Sequence, residues 1–140
     1  MTGAAGPPLA GATGGYGFTV PVLRLGDVLL VTLQGELHDG MAEQLQHDIT
    51  SRIAGSRVTG VVIDISGVDI VDSFLGRVLA EIAAGAGLLA ARTVLAGMRP
   101  AVAITLVELG LTLPGLRTAL DVERAMELLA GDPRDGERSP

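Results

Sequence analysis

The chain contains no cysteine, no tryptophan and no lysine. The missing cysteine rules out disulfides and thiolate metal sites. Without lysine, the glycine-rich stretch Gly11–Gly17 cannot work as a phosphate-binding loop, which needs that side chain on the phosphates. Two Phe and one Tyr are the whole aromatic complement, so the core must be built from Leu, Val, Ile and Ala. Positive charge is scarce as well: ten arginines face sixteen Asp plus Glu, for a net charge of −6. An acidic chain without a basic stripe is a poor partner for nucleic acid or an anionic membrane. No secretory signal is visible, and the longest uncharged apolar stretch, Ile82 to Ala91, is about half of what a membrane span requires. These absences predict a soluble, cytoplasmic protein. A mean hydropathy of +0.47 is high for such a chain and predicts that some apolar surface is buried against other subunits.

What is present reads as one domain over residues 18–130. Residues 1–17 are mostly Gly, Ala, Pro and Thr, with almost no large apolar group, and predict a disordered N-terminal tail; residues 131–140 predict a flexible C-terminal one. Val20–Leu25 and Val28–Gln34 read as two strands joined at Gly26-Asp27, a connection that suits a tight hairpin. Asp39 is placed to cap a helix whose Met41, Leu45, Ile49 and Ile53 form one apolar row. A β-branched run, Val61–Ile65, reads as a strand buried on both faces. A helix carrying Phe74, Leu75, Val78, Leu79 and Ile82 follows it. Arg92–Met98 predicts a strand, Pro100 the first residue of a helix stopped by Gly110, and Leu116–Leu120 a last strand. Asp121 caps a final helix with Val122, Ala125, Met126 and Leu129 inward. The order ββαβαβαβα implies an α/β fold: a mixed, mostly parallel sheet with an antiparallel hairpin at its start, flanked by about four helices.

Several catalytic and binding readings fail on spacing. Gly85-Ala-Gly-Leu-Leu-Ala90 matches a dinucleotide fingerprint by letter, yet it ends a helix instead of opening one. His38 and His47 cannot make a zinc site alone, and Ser73 lies in Val-Asp-Ser-Phe-Leu, not in G-x-S-x-G. Asp64, Asp69 and Asp72 cluster at a strand end as in an aspartyl-phosphate receiver, but the late lysine of such a domain is missing. No metal, cofactor or catalytic residue is expected. The informative pair is Asp72-Ser73, a hydroxyl at a helix start beside Asp69 and Asp72. A phosphate there would meet free backbone N–H groups and the positive end of the helix dipole. A plain helix cap would use the same letters.

The run Val61-Val-Ile-Asp-Ile-Ser-Gly-Val-Asp-Ile-Val-Asp-Ser-Phe74 resembles the signature of STAS domains, the anti-sigma factor antagonist family. Pro21–Leu25, the stretch from Val94 through Gly97-Met-Arg-Pro100 to Leu113, and Ala119–Glu123 resemble its stressosome scaffold group. The likeness covers about Val20 to Leu129. It implies a non-enzymatic bacterial scaffold that sequesters a switch serine/threonine kinase and releases it when Ser73 is phosphorylated. Asp69, Asp72, Ser73 and Phe74 would form the kinase-binding surface. It also implies a sensor paralogue, a PP2C-type phosphatase, and a homo-oligomer or dimer within a large assembly. In the paralogues a second phosphorylated position matches Thr105. Two other members of the family remain as alternatives: a simple anti-sigma factor antagonist, and a small-ligand or lipid-binding module.

Overall fold

The computed structural model describes residues 20–111, 113 and 115–138, with side chains as far as Gly131. The tail expected over residues 1–17 lies outside the described residues. The elements are β1 (Val22–Leu25), β2 (Val28–Gln34), α1 (Asp39–Gly55), β3 (Gly60–Gly67), α2 (Ser73–Leu88), β4 (Arg92–Ala96), α3 (Pro100–Glu108), β5 (Leu116–Ala119) and α4 (Val122–Arg138). This is the expected order. The strands form one five-stranded sheet in sequence order, β1 antiparallel to β2 and every later pair parallel. Gly26 opens the β1–β2 turn at φ +65°, a value a side chain would resist.

This strand order dictates where the helices go. Each parallel crossover advances the chain by one strand in the same direction. Right-handed crossovers therefore lay α1, α2 and α3 on a single face. There Leu29, Val31, Val61, Ile63, Ile65 and Leu95 meet Leu45, Ile49, Leu79, Ile82 and Val102. Only α4, which follows the last strand, is free to cross to the other face. Its Ala125 and Leu129 pack on Val28, Val62, Val94 and Ala96. β3 is thereby buried on both sides, as its β-branched run requires.

Four details depart from the sequence reading. The fully buried row of α1 is Ala42, Leu45, Ile49 and Ile53, with Met41 half-buried. Steps of four residues rotate by about 40° each, which carries Met41 off the stripe and puts Ala42 near its centre. The cap position of α1 is His38, which makes no side-chain cap bond, so Asp39 lies inside the first turn. β4 stops at Ala96 because Gly97, at φ +75°, turns the chain, and β5 stops at Ala119. Finally, α4 continues past Gly131 to Arg138. Pro133 has no N–H to offer the Leu129 carbonyl four residues earlier. Arg92 Nη2 donates to that carbonyl instead, at 3.5 Å.

Candidate functional site

The corner between β3 and α2 is held by three short-range devices. Asp64 Oδ1 accepts the Ser66 N–H at 2.9 Å, and the Val68 N–H donates to the Ile65 carbonyl at 3.0 Å, which turns the chain out of the sheet. Val68 and Val71 are buried pegs. Between and after them Asp69, Ile70, Asp72 and Ser73 are all exposed, Ile70 to 83%. Asp72 caps α2: its Oδ1 accepts the Leu75 N–H at 2.9 Å, and its carbonyl accepts the Gly76 N–H at 3.1 Å.

This assignment separates the two residues that the sequence left joined. The cap is Asp72 alone. Ser73 is the first helical residue, and its hydroxyl makes no hydrogen bond with any described residue. The N–H groups of Ser73 and Phe74 have no partner among the described residues either, as the first turn of a helix dictates. A group carried on the Ser73 oxygen would therefore find unused donors and the positive end of the helix.

A second loop braces the first. Arg99 donates from Nε to the Ser66 carbonyl at 3.0 Å and from Nη1 to Asp69 Oδ1, forming an ion pair. Gly97 lies against the same loop: a Cβ there would sit 2.9 Å from Ser66 Cβ and 3.3 Å from Asp64 Oδ1. The Gly97 N–H donates to the Ala119 carbonyl at 3.1 Å, closing the contact toward β5. Reasoning from sequence missed the role of Arg99. Its only signal was the stretch Gly97-Met-Arg-Pro100, and nothing in that spacing says which carboxylate it will reach.

Opposite the corner, the β2–α1 connection completes a cleft of about 750 Å³. Glu36, His38 and Asp39 line one side of it, and Asp69, Ile70, Asp72 and Phe74 the other. Phe74 is half-buried, and the guanidinium carbon of Arg77 stands 5.9 Å from its ring centroid. The four residues expected to form a partner surface, Asp69, Asp72, Ser73 and Phe74, thus share one acidic corner with an apolar rim. Thr105 is elsewhere, half-buried on α3, with its hydroxyl donating to the Ala101 carbonyl at 3.0 Å. His38 and His47 are exposed and apart from any ligand set. Among the described residues no three His, Cys, Asp or Glu are grouped to hold a metal. Nor is any helix among them long and apolar enough to cross a membrane.

Residues 19–125 match the STAS domain profile. The chain belongs to the STAS domain family. STAS domains are regulatory modules without catalytic activity of their own, so the chain is not an enzyme. Among solved structures it is similar to a serine-to-glutamate variant of RsbS from Moorella thermoacetica. The two are 41% identical over 82% of this chain and 97% of that one, with a TM-score of 0.73. A chain from the molecular architecture of the stressosome, described as a signal integration and transduction hub, is 42% identical over 81% and 99%, with a TM-score of 0.72. Among curated proteins it resembles the RsbT co-antagonist protein RsbRD of Bacillus subtilis, 26% identical over 109 residues. That alignment takes in 77% of this chain but only 39% of RsbRD. The STAS chain here therefore spans about two fifths of the length of that relative.

Proposed function

We propose that this STAS domain is a cytoplasmic stressosome scaffold of the RsbS kind. It holds an RsbT-like switch serine/threonine kinase and releases it when Ser73 is phosphorylated. The observation that carries this reading is the Ser73 hydroxyl: exposed, unbonded to any described residue, and at the first position of a helix whose cap is supplied by its neighbour. A serine that served as the cap would have its oxygen engaged; this one is available to a kinase. The similarity to RsbS along nearly the full length of that protein supports the same role. The relatives named RsbT co-antagonists support a kinase of that class as partner and an RsbR-like sensor paralogue as co-assembling subunit. A PP2C-type phosphatase would reset the site.

The chemistry of release follows from charge. A phosphate adds about −1.5 to −2 charges to a corner that already holds Asp69 and Asp72. The helix end favours it by about 0.3–1 kcal/mol, so the fold tolerates the modification. Like-charge repulsion and desolvation fall instead on any acidic or apolar partner surface that covers the corner. Binding changes and folding does not. The monotonic strand order also favours a docking surface over a ligand crevice, because α/β ligand crevices form where strand order reverses.

The direct test incubates the protein with its switch kinase and ATP, maps the phosphate by mass spectrometry, and measures kinase retention before and after. Phosphate on Ser73 with loss of retention is expected, and Ser73→Ala should hold the kinase permanently. Labelling of Ser73→Ala to the same extent as the parent would sink the assignment.

A further inference from the structure

We propose that Arg77 receives the phosphate of Ser73, and that in doing so it leaves the Phe74 ring and the acidic wall of α1. The proposal rests on the reading of Ser73 as the phosphoacceptor and names the side chain that converts the modification into a wider change of surface. Arg77 follows Ser73 by four residues on α2, the spacing at which side chains on a helix face one another. At about 100° per residue it lies about 40° round the helix from Ser73, on the side toward Phe74. The pair has the favourable polarity, with the anion N-terminal to the cation.

In the unmodified protein Arg77 is weakly held. It is exposed, it makes no hydrogen bond or ion pair with a described residue, and its guanidinium stands over the Phe74 ring. Asp39 and Glu43 of α1 and Glu81 of α2 line the same groove between the helices. Glu81 accepts a hydrogen bond from Gln46 Nε2 at 2.9 Å, and Arg77 is the one cation among the residues that line the groove. The nearby loop cation, Arg99, is already bound to the Ser66 carbonyl and Asp69. A dianion on Ser73 outcompetes an aromatic face for a guanidinium, which binds phosphate through paired N–H donors. Once Arg77 moves, the Phe74 ring is uncovered and the α1–α2 groove loses its positive charge. One modification then alters two patches: the helix start and the groove beside it.

The test uses the full chain with phosphoserine encoded at position 73 during translation, so no kinase is required. The phosphate is titrated by phosphorus NMR in the parent, Arg77→Gln, Arg77→Lys and Arg99→Gln proteins. The second ionisation should have its midpoint about 0.2–0.4 pH units lower in the parent than in Arg77→Gln, with Arg77→Lys recovering part of the difference. Phe74 is one of two phenylalanines in the chain, so its proton signals are readily assigned. They should move on phosphorylation in the parent and stay nearly fixed in Arg77→Gln. Midpoints that agree within about 0.1 unit overturn the proposal, as does a midpoint that responds to Arg99→Gln and not to Arg77→Gln. Because the phosphate is encoded, this outcome is independent of whether a kinase modifies Ser73.

Discussion

Ser73 and Thr105 are both hydroxyls on helices that leave the same end of the sheet, and the fold treats them in opposite ways. Ser73 is the first residue of α2, so the residue four positions back, Asp69, lies in the loop and presents no helical carbonyl. The Ser73 hydroxyl is left without a partner among the described residues. Thr105 is inside α3, where the carbonyl of Ala101 is one turn behind it and takes its proton at 3.0 Å. The corners that launch the two helices differ in the same sense. α2 begins from an outward loop with an aspartate cap, whereas α3 begins from a short glycine turn with Pro100 at its start and no side-chain cap. Position within a helix therefore decides which hydroxyl is chemically available, although both residue types are acceptable to a serine/threonine kinase.

The largest expected effect breaks the comparison outright if it fails. With the switch kinase and ATP, Thr105→Ala should be phosphorylated as fully as the parent, and Ser73→Ala should fall to background. A Thr105 that took over labelling in Ser73→Ala would show that half-burial and the bond to Ala101 do not protect it. Intact-mass spectrometry after a fixed incubation reads both.

Next in size is a contrast between two glycines of nearly equal φ. Gly97, at +75°, touches Ser66 and Asp64, whereas Gly35, at +66°, has nothing within 4 Å of its would-be side chain. Gly35→Ala should cost about 1 kcal/mol, the left-handed strain alone. Gly97→Ala adds overpacking against the β3–α2 loop and should cost about 2–4 kcal/mol. Urea unfolding of the two variants measures the gap. Equal costs would mean that the two loops are not in contact through Gly97.

The cap itself gives a smaller effect. Asp72→Ala removes the acceptor of the Leu75 N–H and should destabilise by about 1 kcal/mol, within the range of helix-cap losses. Ser73→Ala should change stability by less than about 0.5 kcal/mol, as at ordinary surface positions. If the two costs were reversed in thermal melts, Ser73 would be the structural residue of the pair.

Much of this was legible in the chain. The element order, the buried β3 run, the Asp121 cap and the Asp72-Ser73 corner all follow from local patterns, because periodicity and capping are set within a turn or two. What escaped depends on element boundaries, facing and distant partners. That Asp72 and not Ser73 caps α2 turns on which of two adjacent residues enters the helix, and boundaries are fixed by hydrogen bonds rather than by composition. The clasp of Arg99 on Asp69 joins residues thirty positions apart across the β3–α2–β4 crossover. The substitution of Ala42 for Met41 in the core row required knowing which direction the α1 stripe faces. The extension of α4 past Gly131 runs through a proline whose missing bond is made good by Arg92, a strand residue that no local pattern pairs with it.

The same two helices can be compared at their other ends, and here the expected effect is smallest. α2 and α3 close with the same pair of bonds. In α2 the Ala91 N–H reaches the Ala86 carbonyl at 2.9 Å and the Ala90 N–H the Gly87 carbonyl at 3.0 Å. In α3 the Leu111 N–H reaches the Leu106 carbonyl at 3.0 Å and the Gly110 N–H the Val107 carbonyl at 3.0 Å. Both are the six-to-one, five-to-two closure whose central residue must adopt a left-handed conformation. α3 puts Gly110 there at φ +69°, and α2 puts Ala90 there at φ +65°. Ala90 thus bears a strain of about 1–2 kcal/mol that a glycine would not. Glycine returns about 0.4–1 kcal/mol of that through the greater freedom of the unfolded chain. Ala90→Gly should therefore stabilise the domain by about 0.5–1 kcal/mol and raise its melting temperature by about 2–4 °C. Gly110→Ala, with open space around the new methyl, should lose a similar amount. A melt in which Ala90→Gly is neutral while Gly110→Ala is costly would show that the two closures, alike in bonding, are not alike in strain.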